Sequence, residues 1–437
     1  MTEAKDKKVG YLEVTAIGIG GMVGGGIFAV LGLSVQLTHG GAPVAFLLAG
    51  IVALVTSYSY AHLSVTYPSQ GGTVSFLDRA FGSGLLTGSA NILLWISYIV
   101  MLSLYSYAFG SYGASLFPSS SQAIWKPVLI SFSVIVITLL NLMSAQLIGK
   151  AEDWIVSIKL LILLIFIAAG IGGIDAGQLS PDNWSSSLNL VAGGMIIFLA
   201  YEGFELIANS AQDVKMPAKT LPRAFYTSVG FVIVLYVLIS AITVGTLPVD
   251  KIIEAKDYAL AEAARPFLGK SGFVLIAVAA LLSTASAINA TLYGTARLSY
   301  IIARDGELPS ELERKIWNRP VEGLIITSLI TLVIANLVDL SSISTMGSVG
   351  FLIIFAAVNA ANVVLADSTG SSKWISLTGI ILCISAIISL LWQSASRSPE
   401  LILIPLGMIA VSLLIELLYR IFTGRKIRIS KSANQHY

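Results

Sequence analysis

The chain has 437 residues, of which 56% are hydrophobic and 11% are charged, and its mean hydropathy is +0.85. Soluble domains carry about 25% charged residues, so this composition excludes a soluble protein and indicates a polytopic membrane protein. The apolar runs are unbroken rather than alternating, which excludes a membrane β-barrel. The net charge of +2 is too small to indicate a nucleic-acid partner. The single cysteine, Cys383, cannot form an intrachain disulfide.

Apolar runs bounded by polar, glycine or proline residues predict twelve helical spans, because about 20 apolar residues of helix cross a bilayer. The connectors are short, so we expect one integral membrane domain over residues 1–437. The predicted spans are 12–37, 43–67, 84–115, 127–147, 154–174, 190–212, 224–247, 272–303, 321–337, 342–366, 374–393 and 400–422.

Lysine and arginine in the connectors set the orientation, because cytoplasmic loops carry an excess of both residues. Eighteen face the cytoplasm if the N-terminus is cytoplasmic, and six face outward. The sequence therefore predicts a multi-pass protein of the plasma membrane with both termini in the cytoplasm. It also predicts a short amphipathic helix at 251–268 on the outer face. The inner set is Lys5, Lys7, Lys8, Arg79, Lys150, Lys215, Lys219, Arg223, Arg304, Arg314, Lys315, Arg319, Lys373, Arg420, Arg425, Lys426, Arg428 and Lys431, and the outer set is Lys126, Lys251, Lys256, Arg265, Lys270 and Arg397.

The first span is interrupted by glycines at residues 20–28. Each glycine costs a helix interior roughly 1 kcal/mol relative to alanine, so this segment favours an opened helix. In a bilayer, freed backbone groups are tolerated only where they line a cavity or are buried in protein. An opened helix presents N–H groups on one half and carbonyls on the other, which suits a ligand that carries both a carboxylate and an ammonium. Close packing of helices explains the same glycines, and the segment alone leaves both interpretations open.

The sixth span is interrupted as well, at residues 198–205. Glu202 and Glu205 lie near the depth where a charge costs at least about 2–3 kcal/mol. Interruptions in spans one and six predict two inverted five-span repeats, with a binding site between the broken helices. The predicted repeats cover about 12–174 and 190–366, followed by two additional helices at about 374–422.

Lys159 is a charged residue within an apolar part of the fifth span. One interpretation is a lysine that snorkels back to the cytoplasmic interface. The other is a buried lysine that loses and regains a proton. Ser283 and Ser286 in the eighth span share a helix face and can hydrogen-bond an ion or an ammonium, although hydroxyl packing between helices explains them equally well.

Other kinds of site lack their signatures. His39, His62 and His436 show no metal-ligand spacing, and no phosphate-binding glycine–lysine loop is present. Nucleophile–base pairs are also missing, so we predict that the protein is not an enzyme. We expect no catalytic residues, no metal and no cofactor.

These residues together resemble the amino acid–polyamine–organocation transporters over nearly the whole length of the chain. The resemblance implies an all-α fold of five plus five inverted helices, with broken helices one and six and two extra helices. It implies secondary active transport of amino acids, coupled to protons and driven by alternating access. The residues that carry the resemblance are 22–28, 198–205, 213–217, 221–224, 289–291 and 304–309, with Lys159 in the fifth span.

The resemblance also implies roles for individual residues. The ammonium of Lys159 would replace a sodium ion of sodium-coupled relatives, so no sodium is expected. Its partners would be the backbone oxygen near Gly20 and the hydroxyls of Ser283 and Ser286. Glu205 matches a position with a gating or protonation role. The substrate carboxylate would bind the N–H groups of Gly24, Gly25 and Gly26, and the substrate ammonium would bind carbonyls near Met22, Leu199, Ala200 and Glu202.

Two positions depart from the family pattern. Glu202 stands where apolar residues are usual, and Gly25 replaces a serine or threonine. The lead hypothesis is a proton-coupled symporter whose partners are an amino acid, protons and the lipid bilayer. A proton-independent amino acid exchanger and a non-transporting amino acid sensor are the alternatives.

Overall fold

The computed structural model describes residues 9–143, 146–304, 321–397 and 402–423, and helices account for most of them. Two 3₁₀ segments also matter here, Phe198–Glu205 and Lys256–Tyr258. The helices are α1 (Tyr11–Met22), α2 (Gly26–Thr38), α3 (Ala42–Thr66), α4 (Thr73–Phe81), α5 (Leu85–Ala114), α6 (Ser119–Met143), α7 (Gln146–Gly170), α8 (Ser187–Ile196), α9 (Leu206–Asn209), α10 (Pro217–Thr246), α11 (Val249–Glu254), α12 (Ala259–Ala263), α13 (Arg265–Arg304), α14 (Val321–Leu337), α15 (Leu340–Val364), α16 (Ala366–Thr369), α17 (Lys373–Arg397) and α18 (Leu403–Thr423).

Several predicted orientation and motif residues lie outside the described residues or have undescribed side chains. They are Lys5, Lys7, Lys8, Lys150, Arg304, Arg314, Lys315, Arg319, Arg397, Arg425, Lys426, Arg428, Lys431, His436 and most of the 304–309 motif.

The described helices account for the twelve predicted spans. Nine single helices are long and apolar enough to cross a bilayer, and two bent pairs add two more. In the first pair, α1 meets α2 at 47°, and in the second, α8 meets Phe198–Asn209 at 44°. The shorter apolar helix α14, with 17 residues, supplies the remaining span. The predicted breaks in spans one and six are therefore confirmed.

Helix ends depart from the predictions where glycine or proline was misread. Span four begins at Ser119 rather than at 127, because Pro127 lies inside α6 without ending it. Neighbouring helices and local adjustment allow such prolines in membrane helices. Helix α13, which forms span eight, begins at Arg265 rather than at 272. Gly269 has a left-handed φ of 63°, so the helix is kinked there and its straight part begins after Gly269.

The two halves of the chain pack in a matching pattern. The first span contacts the seventh (α1 with α10), as the sixth contacts the second (α8 with α3). The third contacts the tenth (α5 with α15), as the eighth contacts the fifth (α13 with α7). In both comparisons, a span of one half is replaced by the span five positions away in the other half. The contact between spans one and seven thus corresponds to the contact between spans six and two. Spans eleven and twelve, α17 and α18, pack outside this pattern.

The broken spans lie at the centre of the bundle. In α2, 12 of the 13 residues are buried, and all eight residues of Phe198–Glu205 are buried. The peripheral helices α6, α7, α17 and α18 instead expose apolar side chains on their outer faces. A large apolar surface of this kind fits a lipid environment, and it leaves the interrupted backbone inside protein.

The predicted single helix at 251–268 is wrong in detail. The chain forms α11, the 3₁₀ turn Lys256–Tyr258 and α12 there instead. This segment folds onto α2, where a Cβ on Gly32 would lie only 2.2 Å from the carbonyl oxygen of Lys256. The turn at Lys256 therefore packs closely against α2.

Candidate functional site

The break in the first span frees backbone groups between α1 and α2. Helix α1 ends where the Val23 N–H donates to Ile19 at 2.8 Å. The carbonyl of Met22 then accepts a hydrogen bond from the Tyr236 hydroxyl at 2.6 Å. The carbonyl of Gly24 accepts from Ser283 Oγ at 2.8 Å. Side chains from the seventh and eighth spans thus hold the opened backbone, as the low polarity of the interior requires.

The break in the sixth span is held in the same way. The carbonyl of Ile196 accepts from the Ser348 hydroxyl at 3.2 Å, and the same hydroxyl accepts from the Leu199 N–H at 3.3 Å. The carbonyl of Ala200 accepts from Tyr236 at 3.4 Å. The Tyr236 hydroxyl therefore joins both breaks, since it also donates to Met22.

The two broken spans approach each other backbone to backbone. A Cβ on Gly26 would lie 2.9 Å from Ala200 Cα, and a Cβ on Gly203 would lie 2.2 Å from the carbonyl carbon of Gly21. Only glycine fits such approaches. The packing interpretation of these glycines therefore holds together with the opened-helix interpretation.

A cavity of about 800 Å³ extends from the broken spans to the end of the bundle where α1 begins. Three predicted site residues line it, namely Gly20, Glu202 and Ser286. Leu12 lies at the other end of the cavity and is largely exposed. The other predicted substrate-binding residues do not line the cavity but lie behind its wall: Met22, Gly24, Gly25, Gly26, Leu199 and Ala200.

Tyr105 separates the glycine segment from this cavity. It lines the cavity, and a Cβ on Gly25 would lie 2.4 Å from its ring. A Cβ on Gly24 would lie 3.4 Å from its hydroxyl oxygen. Neither Tyr105 nor Tyr236 was predicted from the sequence. The available signal was a phenolic hydroxyl near the middle of an apolar span, where a buried hydroxyl needs a hydrogen-bond partner.

Lys159 lies on the inner face of α7. Its side chain is 1% exposed, whereas Trp154 and Leu161 on the same helix are 73% and 58% exposed. Its Nζ donates to the carbonyl of Gly20 at 3.2 Å, as predicted. Snorkelling would place the ammonium at the membrane surface, and the structure instead places it against the first broken span.

The two serines of the eighth span occupy different positions. Ser283 Oγ donates to Val23 at 3.3 Å and to Gly24 at 2.8 Å, so it contacts the opened backbone. Ser286 lines the cavity. Direct contacts of either hydroxyl with Lys159 stay a prediction.

Glu202 and Glu205 are both buried, at 3% and 2% exposure, but their surroundings differ. Glu205 Oε2 accepts from Tyr60 at 3.0 Å and from Thr73 at 3.3 Å, which ties the sixth span to α3 and α4. Glu202 lines the cavity, and its Oε2 has no hydrogen-bond partner among the described residues. Oε1 of Glu205 likewise has no partner among the described residues, so the two carboxylates differ in the donors to Glu205 Oε2 and in the place of Glu202 in the cavity wall.

The opposite end of the bundle is closed by side chains. The Tyr112 hydroxyl donates to the carbonyl of Phe28 at 3.0 Å. Lys126 Nζ contacts Asp257 at 2.6 Å and lies 3.9 Å from the centre of the Tyr107 ring. These contacts join α2, α5, α6 and the turn Lys256–Tyr258 at the end of the bundle away from the cavity lining.

Comparison with known proteins identifies the family. A family profile described as amino acid permease matches residues 9–413. The chain is 36% identical over 391 residues to an uncharacterised protein of Methanocaldococcus jannaschii. This alignment covers 89% of this chain and 90% of that protein. It is 32% identical over 416 residues to the inner membrane transport protein YbaT of Escherichia coli, at 95% and 97% coverage. It is 27% identical over 378 residues to the methylthioribose transporter of Bacillus subtilis, at 81% and 80% coverage. The chain therefore belongs to the amino acid permease family of the amino acid–polyamine–organocation superfamily, and it is a multi-pass membrane transporter rather than an enzyme.

Proposed function

We propose that this protein carries an amino acid together with a proton across the plasma membrane by alternating access. The observation that carries the proposal is the buried Lys159 ammonium, which hydrogen-bonds the first broken span at Gly20. A tethered ammonium supplies the charge that a sodium ion would otherwise bring to this contact. Unlike a bound ion, it is switched on and off by one proton.

The coupling follows from the strength of that contact. Charged, Lys159 ties the fifth span to the first, since charge-assisted hydrogen bonds are roughly twice as strong as neutral ones. When Lys159 is neutral, its hydrogen bond to the Gly20 carbonyl is weaker. The first span can then move more easily relative to α7. The movement is that of the first span against the fifth, and both spans lie within the first predicted repeat, at about 12–174.

The position of the cavity mouth indicates the side of the membrane to which the site is open. With both termini in the cytoplasm, the end where α1 begins is the cytoplasmic end, and the cavity opens toward the cytoplasm. The contacts of Tyr112, Lys126 and Asp257 then close the outer path. In this proposal the structure is an inward-open state, from which substrate is released.

Substrate binding uses the two breaks. We assign the substrate carboxylate to the N–H groups of Gly24, Gly25 and Gly26 and the α-ammonium to the carbonyls of Met22, Leu199, Ala200 and Glu202. Because Tyr105 covers Gly24 and Gly25, its ring has to move before a carboxylate reaches them. Carbonyl oxygens have two lone pairs, so the Met22 and Ala200 carbonyls accept from an ammonium as well as from Tyr236.

Uptake by purified protein in proteoliposomes tests the proposal. Labelled amino acids and methylthioribose, included because a relative carries that name, are offered with a pH gradient, with a sodium gradient, or with neither. We expect amino acid accumulation with the pH gradient and no stimulation by sodium. Exchange of amino acids without a gradient, and no accumulation with one, would favour the exchanger. Uptake of methylthioribose alone would refute the amino acid substrate.

A further inference from the structure

The carboxylate of Glu202 has no role in the coupling described above. It is buried in the sixth span, its Oε2 has no hydrogen-bond partner among the described residues, and it lines the cavity. A buried charge without a partner costs several kcal/mol, so proteins rarely keep one without a function. Glu202 therefore needs a partner that the described protein residues do not provide.

The remaining charged residues of the cavity wall lie at its mouth. Arg297 donates to Gln70, and Glu13 accepts from the Gly10 N–H at 2.6 Å. Both make these contacts at the end where α1 begins. Among the described residues, Glu202 is therefore the carboxyl group on the deep part of the cavity wall, where a bound cation would favour its ionised form.

Glu205 provides a comparison on the same 3₁₀ segment. It is as buried as Glu202, but two hydroxyls donate to its Oε2, and it does not line the cavity. That carboxylate has a structural environment of its own. Oε1 of Glu205 also has no hydrogen-bond partner among the described residues. The two residues therefore differ in the two donors to Glu205 Oε2 and in the place of Glu202 in the cavity wall.

The α-groups of an amino acid have other partners at the breaks. Neutral backbone N–H groups and carbonyls suit the carboxylate and ammonium that every amino acid carries. A carboxyl group that ionises beside a cation is complementary to a third group, a positive charge on the side chain. We propose that Glu202 determines specificity by binding the cationic side chain of the substrate, so that the protein prefers amino acids such as lysine and ornithine to neutral ones. This inference rests on the proposed function as an amino acid transporter.

Competition assays in proteoliposomes test the assignment. The affinities for lysine, ornithine and alanine are measured in wild type, Glu202→Gln, Glu202→Asp and Glu205→Gln. The glutamine keeps the shape of Glu202 without its charge, the aspartate restores the charge, and Glu205→Gln is the matched control three residues away. The alanine affinity of each variant reports whether its site is still folded.

We expect Glu202→Gln to lower the ratio of lysine affinity to alanine affinity, and of ornithine affinity to alanine affinity, at least tenfold, because truncating one partner of a buried charge pair weakens binding strongly. Glu202→Asp should recover part of the preference, and Glu205→Gln should keep the wild-type ratio of lysine to alanine. An equal loss for lysine and alanine, or no change, would overturn the role of Glu202 while leaving amino acid transport in place. Failure of the wild type to bind any amino acid would overturn the proposed function and this inference with it.

Discussion

The Tyr236 hydroxyl is the contact that joins the two broken spans, so Tyr236→Phe is a direct test of how the site is held. Tyr236 is fully buried and donates to Met22 at 2.6 Å and to Ala200 at 3.4 Å. Phenylalanine keeps the ring but lacks the hydroxyl, so the Met22 carbonyl loses this hydrogen-bond donor. A buried acceptor that loses its donor costs about 1–3 kcal/mol, and hydrogen bonds within membranes fall at the lower end, near 0.6–2 kcal/mol. We therefore expect a loss of about 1–2 kcal/mol.

This loss should appear in both stability and binding. Thermal unfolding in detergent should shift downward by a few degrees, and substrate affinity should fall about 5- to 30-fold, because 1.4 kcal/mol is a factor of ten. Tyr226→Phe is the matched control, since Tyr226 lies on the same helix and is 38% exposed. If Tyr236→Phe behaves like Tyr226→Phe in both measurements, Tyr236 does not hold the breaks in their binding geometry.

Two further perturbations test the glycine segment and the closed end. Gly25→Leu should abolish amino acid binding, but it also forces the Tyr105 ring to move because a Cβ there lies 2.4 Å away, so its unfolding temperature should drop too. Gly24→Ala meets its nearest neighbours at 3.2–3.4 Å and should lower substrate affinity with little effect on unfolding; unchanged affinity in both variants would rule out the glycine segment as the carboxylate site. Asp257→Asn removes the charge that pairs with Lys126 and should speed labelling, by a thiol reagent added outside, of a cysteine introduced on the closed side. Labelling at the wild-type rate would show that this pair does not keep the outer path closed.

The breaks and the buried lysine were predictable because each violates a local rule. Glycines inside an apolar span weaken a helix wherever they occur, and a lysine among apolar neighbours is expensive in any membrane fold. Both signals lie in a few adjacent residues. Local sequence patterns are therefore enough to mark Lys159 and the glycine segment as unusual.

The remaining parts of the site depend on contacts between distant residues. Tyr236 and Met22 are 214 residues apart in the chain, and no local pattern pairs them. The screening of Gly24 and Gly25 by Tyr105 depends on how α5 packs against α2. The difference between Glu202 and Glu205 depends on the rotation of a 3₁₀ turn, which the sequence does not specify. Periodicity predicts which segments cross the membrane, and tertiary packing decides what faces the cavity.

Proton-driven accumulation by Lys159→Ala tests the proposed coupling most directly. The variant is reconstituted beside wild type and beside Lys373→Ala, which removes a half-exposed lysine paired with Asp367 at the surface. We predict that Lys159→Ala loses accumulation driven by a pH gradient while it still binds substrate, and that Lys373→Ala accumulates substrate as wild type does. Full proton-driven accumulation by Lys159→Ala would contradict the role of Lys159 in coupling, because the proton would then be carried elsewhere.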